Sequence, residues 1–243
     1  MTQIYLVRHG QASFGSQNYD QLSELGRQQA RHLGQWWAQR DLSVNRIVTG
    51  SMERHRQTAQ ECVAALLAQP LNEINSSQWQ QDAGFNEYNH HEVLARHYPA
   101  FDDPAATKAF LLATPDGKQR FQQIFTEALA RWMSGACDSD YSETWQAFRQ
   151  RCIAALQKQI ALQDGARNIV IFTSGGTISA LCQHVIGFPD SRFAEFNWSF
   201  VNSGVSRLSV PTHELNTGSC NFMYLNNFSH LEVLNQAQLI TYV

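Results

Sequence analysis

The sequence has no lysine- or arginine-rich run. Its 18 basic and 21 acidic residues leave a net charge of −3 and a pI of about 6.3. That balance carries no electrostatic footprint for nucleic acid. No apolar run approaches the ~18 residues that suggest a membrane helix. The chain starts almost directly in an apolar run, with no charged leader before it. The expectation is a cytoplasmic protein with neither nucleic acid nor membrane as partner. Paired cysteines are missing too. Cys62, Cys137, Cys152, Cys182 and Cys220 are odd in number, widely spaced and without a C-x-x-C pair. They read as small hydrophobes, not as disulfides or metal ligands. Internal repeats, low-complexity segments and an interdomain linker are also lacking. What remains is 243 residues, 43% hydrophobic, with a mean hydropathy of −0.36. That suffices for a sizeable core in a single domain spanning 1–243.

Three short apolar runs read as buried strands: Ile4 to Val7, Ile47 to Thr49 and Ile169 to Thr173. Apolar and β-branched runs of this kind suit a parallel sheet covered on both faces. Between them lie helical patterns, one capped by Ser23, one starting near Ser51, and one expected to start at Ser142 with Glu143 in its first turn and to stop at Gly165. Val205–Val210 and Cys220–Leu225 read as two further strands. The segment 86–141 is different: Pro99, Pro104 and Pro115 punctuate it, and Phe121, Phe125, Leu129 and Trp132 share one helix face. It reads as a helical insertion. The alternation as a whole predicts an α/β fold, a three-layer α/β/α sandwich on a mostly parallel sheet.

Ligands of such folds bind beyond the carboxyl ends of the strands. That rule gathers Arg8-His9-Gly10, Gly50-Ser51 and Thr173-Ser174-Gly175-Gly176 into one place, with Arg54 in the helix after the second loop. Two guanidiniums, two helix N-termini and an imidazole suit a phosphoryl dianion. The imidazole can attack its phosphorus.

These residues also carry a resemblance. "LVRHGQAS", "LSELGRQQA", "GSMERHRQTA", "GFNEYN" and "FTSGGTISAL" stand in the order of five segments of the histidine phosphatase superfamily, the phosphoglycerate-mutase-like proteins. The likeness runs from residue 4 to about 187. It implies His9 as the nucleophile that becomes phosphohistidine, Arg8 and Arg54 as clamps on the phosphoryl oxygens, and Glu87 as the acid and base. Ser174 and Gly175 would contact phosphate at a helix N-terminus, with Gln11, Ser13 and Gln21 on the substrate rim. No metal or other cofactor is implied, because two guanidiniums supply the positive charge. The partner is a small phosphorylated molecule, and exposed aromatics in the insertion would allow a homodimer.

The chain departs from that pattern at Ala12, Gly15 and Gly50, and above all at Ser174, which stands where the family has its second catalytic histidine. A charged hydrogen bond is worth about 1.5–3 kcal/mol and Coulomb attraction at ~4 Å and an effective dielectric near 20 about 4 kcal/mol, so the change corresponds to a rate loss on the order of 10- to 1,000-fold. Ser174→His is therefore expected not to lower activity. His90, His91 or His97 near Glu87 is a candidate to replace the lost charge. "HEVLARH", His91 to His97, fails the zinc motif H-E-x-x-H at Ala95. The expected activity is metal-independent hydrolysis of a phosphomonoester. Mutase-type phosphoryl transfer and a weakly active or inactive phospholigand-binding homologue stay open. So does a serine hydrolase with Ser174 at a nucleophile elbow, followed by Asp190 and His213.

Overall fold

The computed structural model describes residues 1–13, 20–113, 115–162, 164–211 and 220–242. Gly15 and His213 lie outside the described residues. The strands are β1 (Thr2–Arg8), β2 (Arg46–Thr49), β3 (Gln80–Gln81), β4 (Asn168–Thr173), β5 (Val205–Val210) and β6 (Asn221–Asn227). They form one sheet in the order β3-β2-β4-β1-β5-β6. β1 pairs in parallel with β4, β4 with β2, and β2 with β3, while β5 runs antiparallel to β1 and to β6. The sheet is therefore mostly parallel, as its apolar strands predict.

The helices are α1 (Glu24–Ala38), α2 (Glu53–Leu67), α3 (His90–His97), α4 (Pro104–Ala113), α5 (Gly117–Met133), α6 (Trp145–Ala161), α7 (Gly175–Ile186), α8 (Phe193–Ser199) and the single turn α9 (Ser229–Glu232). Alternate strand residues serve opposite layers, because successive side chains point to opposite faces. Tyr5, Val7, Val170 and Phe172 pack with Ala30, Leu33, Ala59 and Cys62 of α1 and α2. Ile4, Leu6, Ile169 and Ile171 pack on the other face with Phe148, Leu156, Ile178 and Leu181 of α6 and α7. From Ile4 in β1 and Ile169 in β4 onward the strands thus have no solvent face. The buried side of α5, with Phe125, Leu129 and Trp132, joins this second core, and the segment 86–141 holds α3, α4 and α5 where helices are predicted.

Caps required correction. Ser23 caps α1 as expected, accepting from the Gly26 N–H at 3.0 Å. Ser142 does not cap α6: Thr144 does, accepting from Ala147 N–H at 3.1 Å, so Glu143 precedes the helix. The Ser142 hydroxyl is instead engaged by the Glu92 carboxylate. α6 ends at Ala161, and Gly165, with φ +78°, turns the chain four residues later. α2 has no side-chain cap of its own. Asp20 serves from a distance, its carboxylate accepting from Glu53 N–H at 2.9 Å.

Candidate active site

β1 and β4 are neighbours at the centre of the sheet, with Arg8 opposite Thr173. Their carboxyl ends therefore deliver the Arg8-His9-Gly10 loop beside Ser174. His9 N–H donates to Thr173 O at 2.9 Å, and Ser203 N–H donates to His9 O at 3.2 Å. Gly10 N–H donates to Thr58 Oγ1 at 3.1 Å, and that hydroxyl donates to Arg54 O at 2.6 Å. The loop is thereby tied to α2. Gly10 has a packing reason: a Cβ there would sit 2.3 Å from Gly26 O, so only glycine lets α1 approach. Gln29 of "LSELGRQQA" is structural, accepting from Gln11 N–H at 2.8 Å.

His9 is buried, and its Nδ1 lies 2.8 Å from Gly10 O. A carbonyl only accepts, so Nδ1 carries the hydrogen and Nε2 keeps its lone pair. Burial holds the imidazole well below the ordinary histidine range, and the charges of Arg54 and Arg8 push the same way. It is neutral at physiological pH, the state a nucleophile requires. Arg8 is anchored through Nη1 to Phe200 O. Arg54 is held by Asp20, Nη1 to Oδ1 at 2.7 Å. Both guanidiniums are buried, and each lines the same pocket as His9.

Glu87 lines the same pocket. Its carboxylate accepts from Gly176 N–H at 3.0 Å, in the first turn of α7, and from Tyr88 N–H at 3.2 Å. A Cβ at Gly176 would fall 2.1 Å from Glu87 Oε1, so this glycine makes room for the carboxyl group. Burial raises the Glu87 pKa above the ordinary carboxyl range against these two bonds and the charge of Arg54. The Glu87 loop is fixed from behind. Arg151 donates to Asn86 O at 2.8 Å, to Gly84 O at 3.2 Å and to Glu87 O at 3.3 Å, while pairing with Glu143. Thr177 Oγ1 donates to Asn86 O at 2.9 Å.

The pocket has a volume of about 720 Å³ and opens toward α3, α4 and α5. Leu94, Phe101, Phe121, Phe125 and Trp198 form its walls, and Ala12 and Asn202 reach it near His9. The three expected rim residues lie elsewhere. The Gln11 side chain accepts from Ser23 Oγ at 2.9 Å, Ser13 N–H donates to Gln21 O at 2.7 Å, and Gln21 is exposed. Among the described residues none of the three lines the pocket. His90 and His91 do line it. Burial and the nearby Arg54 hold His90 at about 4, so it supplies no charge near neutral pH. His97 pairs with Glu127 at 3.5 Å instead.

Ser174 is the N-cap residue of α7, but its side chain makes no capping bond. It is fully buried and not on the pocket lining. Its Oγ lies 2.6 Å from Nε2 of His55, a residue that sequence reasoning passed over. Gly175 is the first residue of α7, and a Cβ there would approach the Arg8 guanidinium at 3.4 Å. Asp190 bonds Gln183 at the far end of α7, so it is no partner for Ser174. Asp20, Arg151, Asn202 and His55 are thus the site residues the sequence did not single out.

The model of the histidine phosphatase superfamily (branch 1) matches residues 4–109 and 112–221. A probable phosphoglycerate mutase GpmB of Klebsiella pneumoniae subsp. pneumoniae is 25% identical over 219 residues, covering 86% of this chain and 85% of that protein. Among solved structures, a phosphoglycerate mutase from Bacillus anthracis superposes with a TM-score of 0.62 at 16% identity, covering 97% of each chain. A phosphoserine phosphatase from Entamoeba histolytica, solved with 3-phosphoglyceric acid, superposes at 0.59 and 13% identity, over 95% of this chain and 100% of that one. The six-stranded sheet is that of the phosphoglycerate-mutase-like α/β fold. With its motif segments gathered around His9 and the family model spanning most of its length, the chain belongs to the histidine phosphatase superfamily, branch 1.

Proposed function

We propose that this chain is a metal-independent phosphatase that hydrolyses a phosphomonoester with a sizeable apolar alcohol part. One observation carries the reading: a neutral His9, two arginines and a buried carboxyl group sit together in one pocket whose outer walls are aromatic and aliphatic. His9 Nε2 attacks phosphorus while the P–O bond to the alcohol breaks. Protonated Glu87 gives its proton to the leaving oxygen. Arg8 and Arg54 hold the phosphoryl oxygens and stabilise the charge that gathers there. Glu87, now a carboxylate, takes a proton from water as that water attacks phosphorus. The P–N bond breaks, phosphate leaves, and neutral His9 and protonated Glu87 are restored. Mutase transfer would call for contacts to a second anionic group. Among the described residues, the pocket offers away from Arg8 and Arg54 only Lys108 as a lysine or arginine, which supports hydrolysis over mutase chemistry.

The test is p-nitrophenyl phosphate hydrolysis in EDTA, with His9→Ala as control, followed by a series of n-alkyl phosphates. Activity should survive EDTA and vanish in His9→Ala. Each methylene that enters the pocket should raise kcat/KM by about three- to fourfold, from ~0.8 kcal/mol per buried CH₂. Activity retained by His9→Ala, or a flat series with 3-phosphoglycerate preferred, would overturn the proposal.

A further inference from the structure

His55 follows Arg54 on α2 and is fully buried. Its ring stands 5.8 Å from that of His9, centroid to centroid, tilted by 35°. Its Nε2 meets Ser174 Oγ at 2.6 Å. Its Nδ1 has no hydrogen-bond partner among the described residues, and lies where a side chain at position 50 would begin: a Cβ on Gly50 would be 2.2 Å away. Three residues that look unrelated in sequence therefore share one volume. The small Ser174 leaves a gap beside His9, the His55 ring enters it from α2, and Gly50 lets it enter.

We infer that His55 is the second imidazole of this site, supplied from α2 instead of from the start of α7, and that it positions the His9 ring as part of an interlocked Gly50–His55–Ser174 set. The contact between Nε2 and Ser174 Oγ ties the ring to the start of α7, with the ring N–H or the serine hydroxyl donating according to which ring nitrogen carries the hydrogen. The ring is then held at Nε2 by Ser174, finds room at Nδ1 because position 50 is glycine, and faces His9 on the side nearest the nucleophile. It is kept neutral first by burial and then by the charge of Arg54, so it presents His9 with a firm wall and no full charge. Arg8 from β1 and Arg54 from α2 are the charged groups that face His9 beside it, and Glu87 faces the same pocket. The expectation for Ser174→His changes accordingly, because a second imidazole at 174 would compete with His55 for the same space.

Only the kinetic arm of this inference rests on the phosphatase reading. In that arm, His55→Ala lowers kcat on p-nitrophenyl phosphate about 10- to 100-fold with KM within about threefold. Ser174→His alone also lowers kcat, and the double variant recovers to within about tenfold of wild type. Two further arms need no activity. By melting temperature, Gly50→Ser destabilises the protein and His55→Ala relieves that loss in the double variant. By imidazole NMR titration, His9 in a folded His55→Ala protein titrates at higher pH, since the buried His55 ring helps keep water from His9 and burial is the first cause of its lowered pKa. A folded His55→Ala with wild-type kcat and unmoved His9 titration overturns the inference, as does a double variant no better than His55→Ala. A wild type that hydrolyses nothing refutes the phosphatase reading alone, and the melting and NMR arms then decide this one.

Discussion

Gly176→Ala isolates the role of Glu87 without touching a charged group. The new Cβ would lie 2.1 Å from Glu87 Oε1 and 2.5 Å from the Tyr88 ring. The carboxylate end of Glu87 can move, but Tyr88 is buried against Trp132 and Phe148, with ring centroids at 5.0 and 5.4 Å, and cannot. The carboxyl group must therefore leave the Gly176 N–H, now 3.0 Å away. Overpacking of this kind costs about 1–3 kcal/mol. Replacing a helical glycine by alanine returns up to about 1 kcal/mol. The net loss of stability should be about 0–3 kcal/mol, leaving a folded protein with a displaced acid.

The kinetic consequence depends on the leaving group. A positioned general acid contributes typically ~10²–10⁴-fold, and an alkyl alcohol requires it whereas p-nitrophenolate leaves without it. In Gly176→Ala, kcat/KM for an alkyl phosphate should fall by about 10²-fold or more, while kcat/KM for p-nitrophenyl phosphate falls by less than about tenfold. The kcat values of both should fall together, because the second step needs Glu87 as base whatever alcohol has left. Stopped-flow assays with p-nitrophenyl phosphate should then show a burst of one equivalent before a slow steady state. Equal losses of kcat/KM on the two esters, or none, in a folded variant would refute the assignment of Glu87 as the acid.

The pH profile of kcat/KM follows from the two shifted groups. His9 must be neutral and its pKa is lowered, so the acid limb lies below the ordinary histidine range; Glu87 must be protonated and its pKa is raised, so the alkaline limb lies above the ordinary carboxyl range. An optimum on the acid side of neutrality is expected with alkyl phosphates, and Glu87→Gln should abolish the alkaline limb of whatever activity remains; an alkaline optimum would contradict the scheme. Arg151→Met keeps the side-chain stem but removes the bonds to the carbonyls of Gly84, Asn86 and Glu87. It should lower kcat by about tenfold and stability by about 1–3 kcal/mol, read by steady-state kinetics and thermal melts, with an unchanged kcat arguing that the Glu87 loop holds itself.

How much of this was legible in the sequence depends on how local each cause is. β1 and β4 could be read directly because both their faces are buried, which leaves an uninterrupted apolar run, and the strand-end rule then places Arg8, His9 and Ser174 together. The caps were less legible. Ser142 and Thr144 are both good caps in isolation, and what separates them is Glu92, about 50 residues away, which takes the Ser142 hydroxyl. The N-terminus of α2 is likewise served by Asp20, from a different loop. Gln11 was expected at the substrate rim because it follows the nucleophile loop, yet its side chain is occupied by Ser23, and the pocket opens toward the insertion instead. His55 is the sharpest case. Gly50 and Ser174 are departures from the family pattern far apart in the chain, and nothing in the sequence ties either to His55. In the fold the three share one volume, because the His55 ring meets Ser174 and stands where a side chain at position 50 would begin. That shared volume becomes readable only when β4 and the start of α2 are known to be neighbours, and the β2–β4 pairing, with Thr49 opposite Phe172, makes them so.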